Sequence, residues 1–122
     1  MSAIVEIILT QLGICYRKIQ LTQDTLYFCM MNDTISFDLL IRSDHSVRLW
    51  RLITAAPAGI HQCICRLSAH AALGYARSEA DELVFYAERT IAARKAESCR
   101  QLWRMIKGFC HILDQDRKMW KR

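Results

Sequence analysis

The chain has 122 residues and a formal net charge of +5, with 52% hydrophobic and 24% charged residues. That balance sets a single globular domain, which at this length buries roughly two thirds of its unfolded surface, and excludes an intrinsically disordered chain. One Pro and four Gly exclude a flexible linker, and no internal repeat or low-complexity tract occurs.

At the N-terminus, Ser2 is placed to cap a first helix running to about Leu12. Its apolar residues Ile4, Val5, Ile7, Ile8, Leu9 and Leu12 cover more than one stripe, so two sides need burial. One side can meet the domain and the other a partner. Gly13 suits the helix C-terminus. The stretch from Ala3 to Leu12 carries Glu6 and is far short of the roughly 20 residues of a membrane span. No basic run precedes it and no small-residue cleavage site follows it, which argues against a secretory signal. A cytoplasmic protein is expected, with no membrane insertion. Its cysteines, Cys15, Cys29, Cys63, Cys65, Cys99 and Cys110, are then expected to be reduced and structural.

After a polar break at Thr22 to Asp24 the periodicity changes from helical to alternating. Leu26, Phe28 and Met30 alternate with Tyr27, Cys29 and Met31, and Asn32-Asp33 is a turn signal. Ile35, Phe37, Leu39 and Ile41 then alternate with Ser36, Asp38, Leu40 and Arg42, the cleanest strand pattern in the chain. Ser43 to Ser46 forms the next turn. Val47 to Ile53 reads as a third strand, with Val47, Leu49 and Ile53 toward the core and Arg48, Trp50 and Leu52 away from it. Short turns between the three runs predict an antiparallel meander. On this reading Tyr27, Met31, Leu40 and Trp50 lie on the outward sheet face.

Pro57 ends the strand region and precedes a middle helix, where Ile60, Cys63, Ile64, Leu67 and Ala71 recur at helical spacing. Gly74 to Arg77 is a short strand, Ser78 to Asp81 a turn, and Leu83 to Ala87 a fifth strand. From Ile91 onward the pattern is helical, with Leu102, Ile106, Phe109 and Leu113 in one stripe. Gly108 marks a place where that helix could bend. The predicted order is α-β-β-β-α-β-β-α, an α+β domain with an antiparallel sheet packed against helices.

Candidate chemistry is sparse. His61, Cys63, Cys65 and His70 are zinc-ligand types, but residues two apart on a helix diverge, so Cys63 and Cys65 do not converge on one ion. No nucleophile elbow, phosphate loop or metalloprotease motif occurs, so neither enzyme activity nor a cofactor is expected. The C-terminal segment is basic, with Arg94, Lys95, Arg100, Arg104, Lys107, Arg117, Lys118, Lys121 and Arg122 against Glu97, Asp114 and Asp116. Such a segment steers toward nucleic acid, acidic membrane or an acidic protein, or is a solvated helix face. The strands lack a basic-aromatic recognition motif, which disfavours nucleic acid.

This element order, in a chain of this length, resembles the class I effector chaperones of type III secretion. Leu12-Gly13 resembles the leucine-glycine junction after their first helix. Thr25 to Ile53 resembles their meander and Ile60 to Ala72 their middle helix, with Trp120 near the end of the last helix. The stretch Leu67 to Ala87 also resembles a sensory-regulator family of the same fold. The resemblance implies a non-enzymatic virulence-associated chaperone of the bacterial cytoplasm. Its client would be the extended N-terminal segment of a secreted effector or of another secretion-system protein. It also implies a homodimer, or a heterodimer with a similar chaperone, joined through Ile60, Cys63, Ile64, Leu67 and Ala71. The client surface is expected at Ile8, Leu12, Tyr27, Leu40 and Trp50. The alternative is a regulator or nucleic-acid-binding module of the same fold using the basic C-terminal helix. Family members are usually acidic, whereas this chain has a pI near 9.0.

Overall fold

The computed structural model describes residues 1–33, 35–53, 73–77 and 83–120. The first helix, α1 (Ser2–Gln11), leads into strands β1 (Cys15–Gln20), β2 (Thr25–Met31), β3 (Ile35–Ile41) and β4 (Ser46–Ile53). Strands β5 (Leu73–Arg77) and β6 (Leu83–Thr90) and the long helix α2 (Lys95–Trp120) follow. The strands form one antiparallel six-stranded sheet in the order β1-β2-β3-β4-β6-β5. The α+β class with helices on an antiparallel sheet is as expected. The predicted middle helix, with Ile60, Cys63, Ile64, Leu67 and Ala71, and the predicted turn at Ser78 to Asp81 lie outside the described residues.

The sheet has one strand more than the sequence suggests. β1 carries Arg17, Lys18 and Gln20 and is exposed at every position, so no buried face left an alternating pattern to find. It joins the sheet through β2, in a register running from Cys15↔Met30 to Gln20↔Thr25.

The ends of α1 show how local chemistry sets the entry to this sheet. Met1, not Ser2, is the N-cap, and no side chain caps the helix there. At the other end Gly13 takes φ +72°. The Gly13 N–H bonds to the Thr10 carbonyl at 3.1 Å and the Ile14 N–H to the Leu9 carbonyl at 2.9 Å. This is a Schellman closure, and its companion apolar pair is Leu9 and Ile14, both buried. At the β2–β3 turn Asn32 and Asp33 both take positive φ, a conformation these residues tolerate better than most. Asn32 Nδ2 also donates to Asp114 Oδ1 of α2 at 3.3 Å. Between β3 and β4, Asp44 Oδ1 accepts from the Ser46 N–H at 3.0 Å and the Ser46 hydroxyl at 2.6 Å.

The core lies between α1, α2 and one face of the sheet. Val5, Ile8 and Leu9 of α1 and Leu102, Ile106, Phe109 and Leu113 of α2 cover Phe37, Leu39, Val47, Leu49 and Phe85. Phe109 stacks on Phe85 with centroids 4.7 Å apart and lies 5.5 Å from Phe37. The helical stripe and the inward positions of β3 and β4 are therefore those expected, apart from Ile53, whose side chain lies outside the described residues. Two expectations for α2 change. Ile91 precedes the helix, and its N–H bonds to the His45 carbonyl at 2.9 Å. The helix also continues through Gly108 without a break.

Tyr27 is the main correction. It was expected on the outward face but is fully buried on the inward one, together with Met31 and Cys29. Both faces of β2 are apolar, so alternation alone could not assign them. The physical reason lies in α1. Glu6 Oε2 accepts from the Tyr27 hydroxyl at 2.7 Å and from Lys18 Nζ at 3.1 Å. Glu6 Oε1 accepts from the Tyr16 hydroxyl at 3.4 Å. A buried phenol needs a partner, and this one is 21 residues away in sequence. The hydrogen bond from Tyr27, then that from Lys18, holds the Glu6 carboxyl below its ordinary value. Burial first, then the Glu6 contact, raises the Tyr27 phenol.

Candidate functional site

The face of the sheet turned away from α1 and α2 is the first candidate surface. Antiparallel partners share a face, and the pairings Ile19↔Leu26, Leu26↔Leu40, Phe28↔Asp38, Asp38↔Trp50 and Trp50↔Tyr86 carry one surface from β1 to β6. On it Ile19 is 37% exposed, Phe28 42%, Met30 41% and Leu52 42%. Leu26, Leu40, Trp50 and Tyr86 are half-buried among them.

Among the charged groups on this face, Arg48, Glu88 and Arg42 form a cluster. The Arg48 guanidinium carbon lies 5.4 Å from the Tyr86 ring centroid and 5.7 Å from that of Trp50, within cation–π range. Its Nε is 3.8 Å from Glu88 Oε2, and Arg42 reaches the other oxygen of Glu88 at 3.9 Å. Asp38 lies between Phe28 and Trp50 in register, and partial burial raises its carboxyl above the ordinary value. A carboxylate desolvated by apolar neighbours stays ionised less readily.

This face ends at β1, an exposed edge strand. Among the described residues its side away from β2 pairs with no strand and offers backbone donors and acceptors to another, while Arg17 and Lys18 are the kind of edge charges that discourage indiscriminate pairing.

The second candidate surface is a groove of about 410 Å³ on the helix side, between α1 and α2. Ile4, Ile7 and Ile8 line one wall and Cys99 and Trp103 the other. Ile7 is 57% exposed. Lys95, Arg100 and Arg104 border it. Lys107 Nζ sits 5.6 Å from the Trp103 ring centroid.

The five expected client residues therefore separate. Leu40 and Trp50 lie together on the sheet face turned away from α1 and α2. Ile8 is largely buried but lines the groove, and Leu12 is half-buried against the core. Tyr27 belongs to neither surface. Sequence reasoning missed Ile19, Phe28 and Met30 as exposed groups. For Phe28 and Met30 the signal was the apolar character of both faces of β2; Ile19, in the fully exposed β1, had none. It also missed Ile7, which sits on the side of α1 away from Val5 and Leu9.

Cys15, Cys29, Cys99 and Cys110 carry free thiols. Burial pushes the Cys29 and Cys110 thiols up to about 12, which leaves them poor nucleophiles. Cys63, Cys65, His61 and His70 lie outside the described residues. Among the described residues no three His, Cys, Asp or Glu side chains are placed to hold a metal ion. No helix among them is long and apolar enough to cross a membrane.

No protein-family model matches the sequence, and no curated protein matches it. The fold is similar to that of a chain in the solved structure described as the HopA1-SchA chaperone-effector complex. The sequences are 14% identical, the TM-score is 0.62, and the match covers 99% of this chain and 93% of that one. At this identity the likeness is one of fold: an α+β architecture shared along the whole chain.

Proposed function

We propose that this protein is a non-enzymatic type III secretion chaperone of the bacterial cytoplasm. It binds an extended N-terminal segment of a secreted effector or of a secretion-apparatus protein and keeps that segment soluble and export-competent. The observation that carries the reading is the exposed edge strand β1 beside the apolar sheet face turned away from α1 and α2. An extended segment can pair its backbone with β1 and place alternate side chains on Ile19, Leu26 and Phe28. Likeness in fold to a chain of a chaperone-effector complex supports the same reading. Leu40 and Trp50 remain part of the proposed client surface, and Phe28 takes the place assigned to Tyr27. Dimerisation through Ile60, Cys63, Ile64, Leu67 and Ala71 is part of the proposal.

The test begins with co-purification from the native host and identification of the retained protein by mass spectrometry. The N-terminal segment of that protein is then produced with and without this chain. The segment should remain soluble only in its presence, and its amides should become protected from exchange in an extended stretch. A segment equally soluble alone, or one that leaves β1 exchange unchanged, sinks the reading.

A second reading has an observation of its own. Arg100, Arg104 and Lys107 recur at helical spacing on the exposed side of α2, as a surface for nucleic acid would require. Oligonucleotide binding with a steep salt dependence would favour it over the chaperone reading.

A further inference from the structure

We infer that the groove between α1 and α2 is a docking site for a short acidic amphipathic helix of the client. This rests on the chaperone reading and adds a second contact to it, on the opposite side of the sheet from the β1 edge and its apolar face.

Charge selects the occupant. The groove is lined by Ile4, Ile7, Ile8 and Trp103, and every charged side chain that lines it is basic: Lys95, Arg100 and Arg104. Among the described residues no carboxylate forms an ion pair with any of the three. A basic partner would be repelled there, and a neutral apolar one would leave the cations uncompensated. A segment with carboxylates beside an apolar row satisfies both.

Backbone chemistry selects its conformation. Both walls are helices, whose N–H and C=O groups are bonded internally except in the end turns. They offer nothing to an extended strand, which would carry unpaired backbone groups into an apolar groove. A helix brings its own backbone bonds and presents only side chains. Spacing agrees. Arg100 and Arg104 are one turn apart, about 6 Å along the axis, which is the separation of carboxylates at i and i+4 on a second helix. Leu or Phe side chains on the adjacent row would fill the space over Ile7 and Trp103.

The probes are two synthetic helical peptides with the same apolar row, one carrying Glu at the flanking positions and the other Lys. Each is added to the full chain at low salt. Binding is followed by the anisotropy of a peptide label, and access by site-resolved alkylation of Cys99 and Cys15. Cys99 lines the groove, whereas Cys15 opens the edge strand and is exposed. The Glu peptide should bind about tenfold more tightly than the Lys peptide and protect Cys99 without protecting Cys15. The charge reversal R100E/R104E should invert the preference, and the milder R100Q/R104Q should abolish it, with unchanged circular dichroism in both.

Equal binding of the two peptides, protection of Cys15 in place of Cys99, or a preference untouched in R100Q/R104Q overturns the inference. So does a single-stranded oligonucleotide that binds through Arg100 and Arg104 and displaces the Glu peptide, since the cations then serve nucleic acid. The two readings fail differently. A client still held by R100Q/R104Q, with no peptide preference in the parent, removes the helix site and keeps the chaperone. A parent that prefers the Glu peptide but solubilises no client segment removes the chaperone and keeps the site.

Discussion

The two faces of strand β2 have almost the same chemistry and opposite fates. Tyr27, Cys29 and Met31 are buried, whereas Phe28 and Met30 are exposed and Leu26 is half-buried. Nothing in hydrophobicity separates the two sets. What separates them is the rest of the chain. α1 and α2 bring their apolar stripes to one face, and Glu6 supplies the hydrogen-bond acceptor that a buried Tyr27 requires. A strand apolar on both sides therefore announces burial on one and leaves the other free for contact. The difference teaches that the helices, and not the strand's own pattern, decide which face of β2 joins the core among the described residues.

The sharpest test of the contrast replaces one phenylalanine on each side. Phe109→Ala removes a fully buried ring stacked on Phe85, and should cost about 3–5 kcal/mol, a large share of the roughly 5–15 kcal/mol that holds a small domain folded. Phe28→Ala removes a ring already 42% exposed, and should cost about 1 kcal/mol or less. Urea denaturation of both variants measures the gap. Equal losses would mean that the two faces are buried alike.

Tyr27→Phe probes the covered face more gently. It keeps the ring and removes the 2.7 Å bond to Glu6, at a cost of about 1–2 kcal/mol. It should also change the acid limb of stability. Glu6 is held below its ordinary value in the folded state, mainly by this bond. Its contribution is present above the unfolded carboxyl value and is lost as pH falls through the lowered folded value. Tyr27→Phe should therefore flatten the loss of stability below about pH 4.3, the ordinary Glu value. An acid limb identical to that of the parent would show that the bond does not tie α1 to the sheet in solution.

How much of this could be read beforehand differs strand by strand. In β3, Phe37 and Leu39 alternate with Ser36 and Asp38, so one polar face declared the other buried. In β2 the one small polar residue, Thr25, stands at the strand's start and marks neither face as outward, and the deciding contact with Glu6 is long-range. β1 was invisible because an edge strand exposed throughout needs no apolar period. The stripe Leu102, Ile106, Phe109 and Leu113 was plain in the sequence because α2 buries one side only. The basic character of the last helix was equally plain. That Arg100 and Arg104 border the same groove as Ile7 was not, because that placement depends on how α1 and α2 meet across the sheet.

A smaller effect should come from the helix that covers the inner face. Gly108 lies inside α2, and a Cβ built there meets no atom within 4 Å. Gly108→Ala should stabilise the protein by about 0.5–1 kcal/mol through the loss of unfolded-state freedom. A rise in thermal midpoint, with the alkylation rate of Cys15 unchanged, would place the gain on the covered side alone. A fall would mean that α2 needs a bend at this position.

The smallest effect on stability, and the most informative for function, belongs to Trp50. Its ring is half-buried on the face turned away from α1 and α2, with the Arg48 guanidinium 5.7 Å from its centroid and Tyr86 opposite in register. Trp50→Ala forfeits that cation–π contact and part of the ring's burial, but Arg48 keeps its neighbours Tyr86 and Glu88. The expected loss is about 1 kcal/mol or less, with the circular dichroism spectrum unchanged. The effect on a bound client segment should be larger, about tenfold in affinity, because a large aromatic that anchors an interface contributes most where it excludes water from its partner. Titration of the client segment into parent and variant separates the two quantities. If Trp50→Ala unfolds the protein as Phe109→Ala is expected to, this face is core and no client surface lies there. If the client binds both proteins equally, the contact runs along β1 without reaching β4, and the aromatic pair serves the sheet alone.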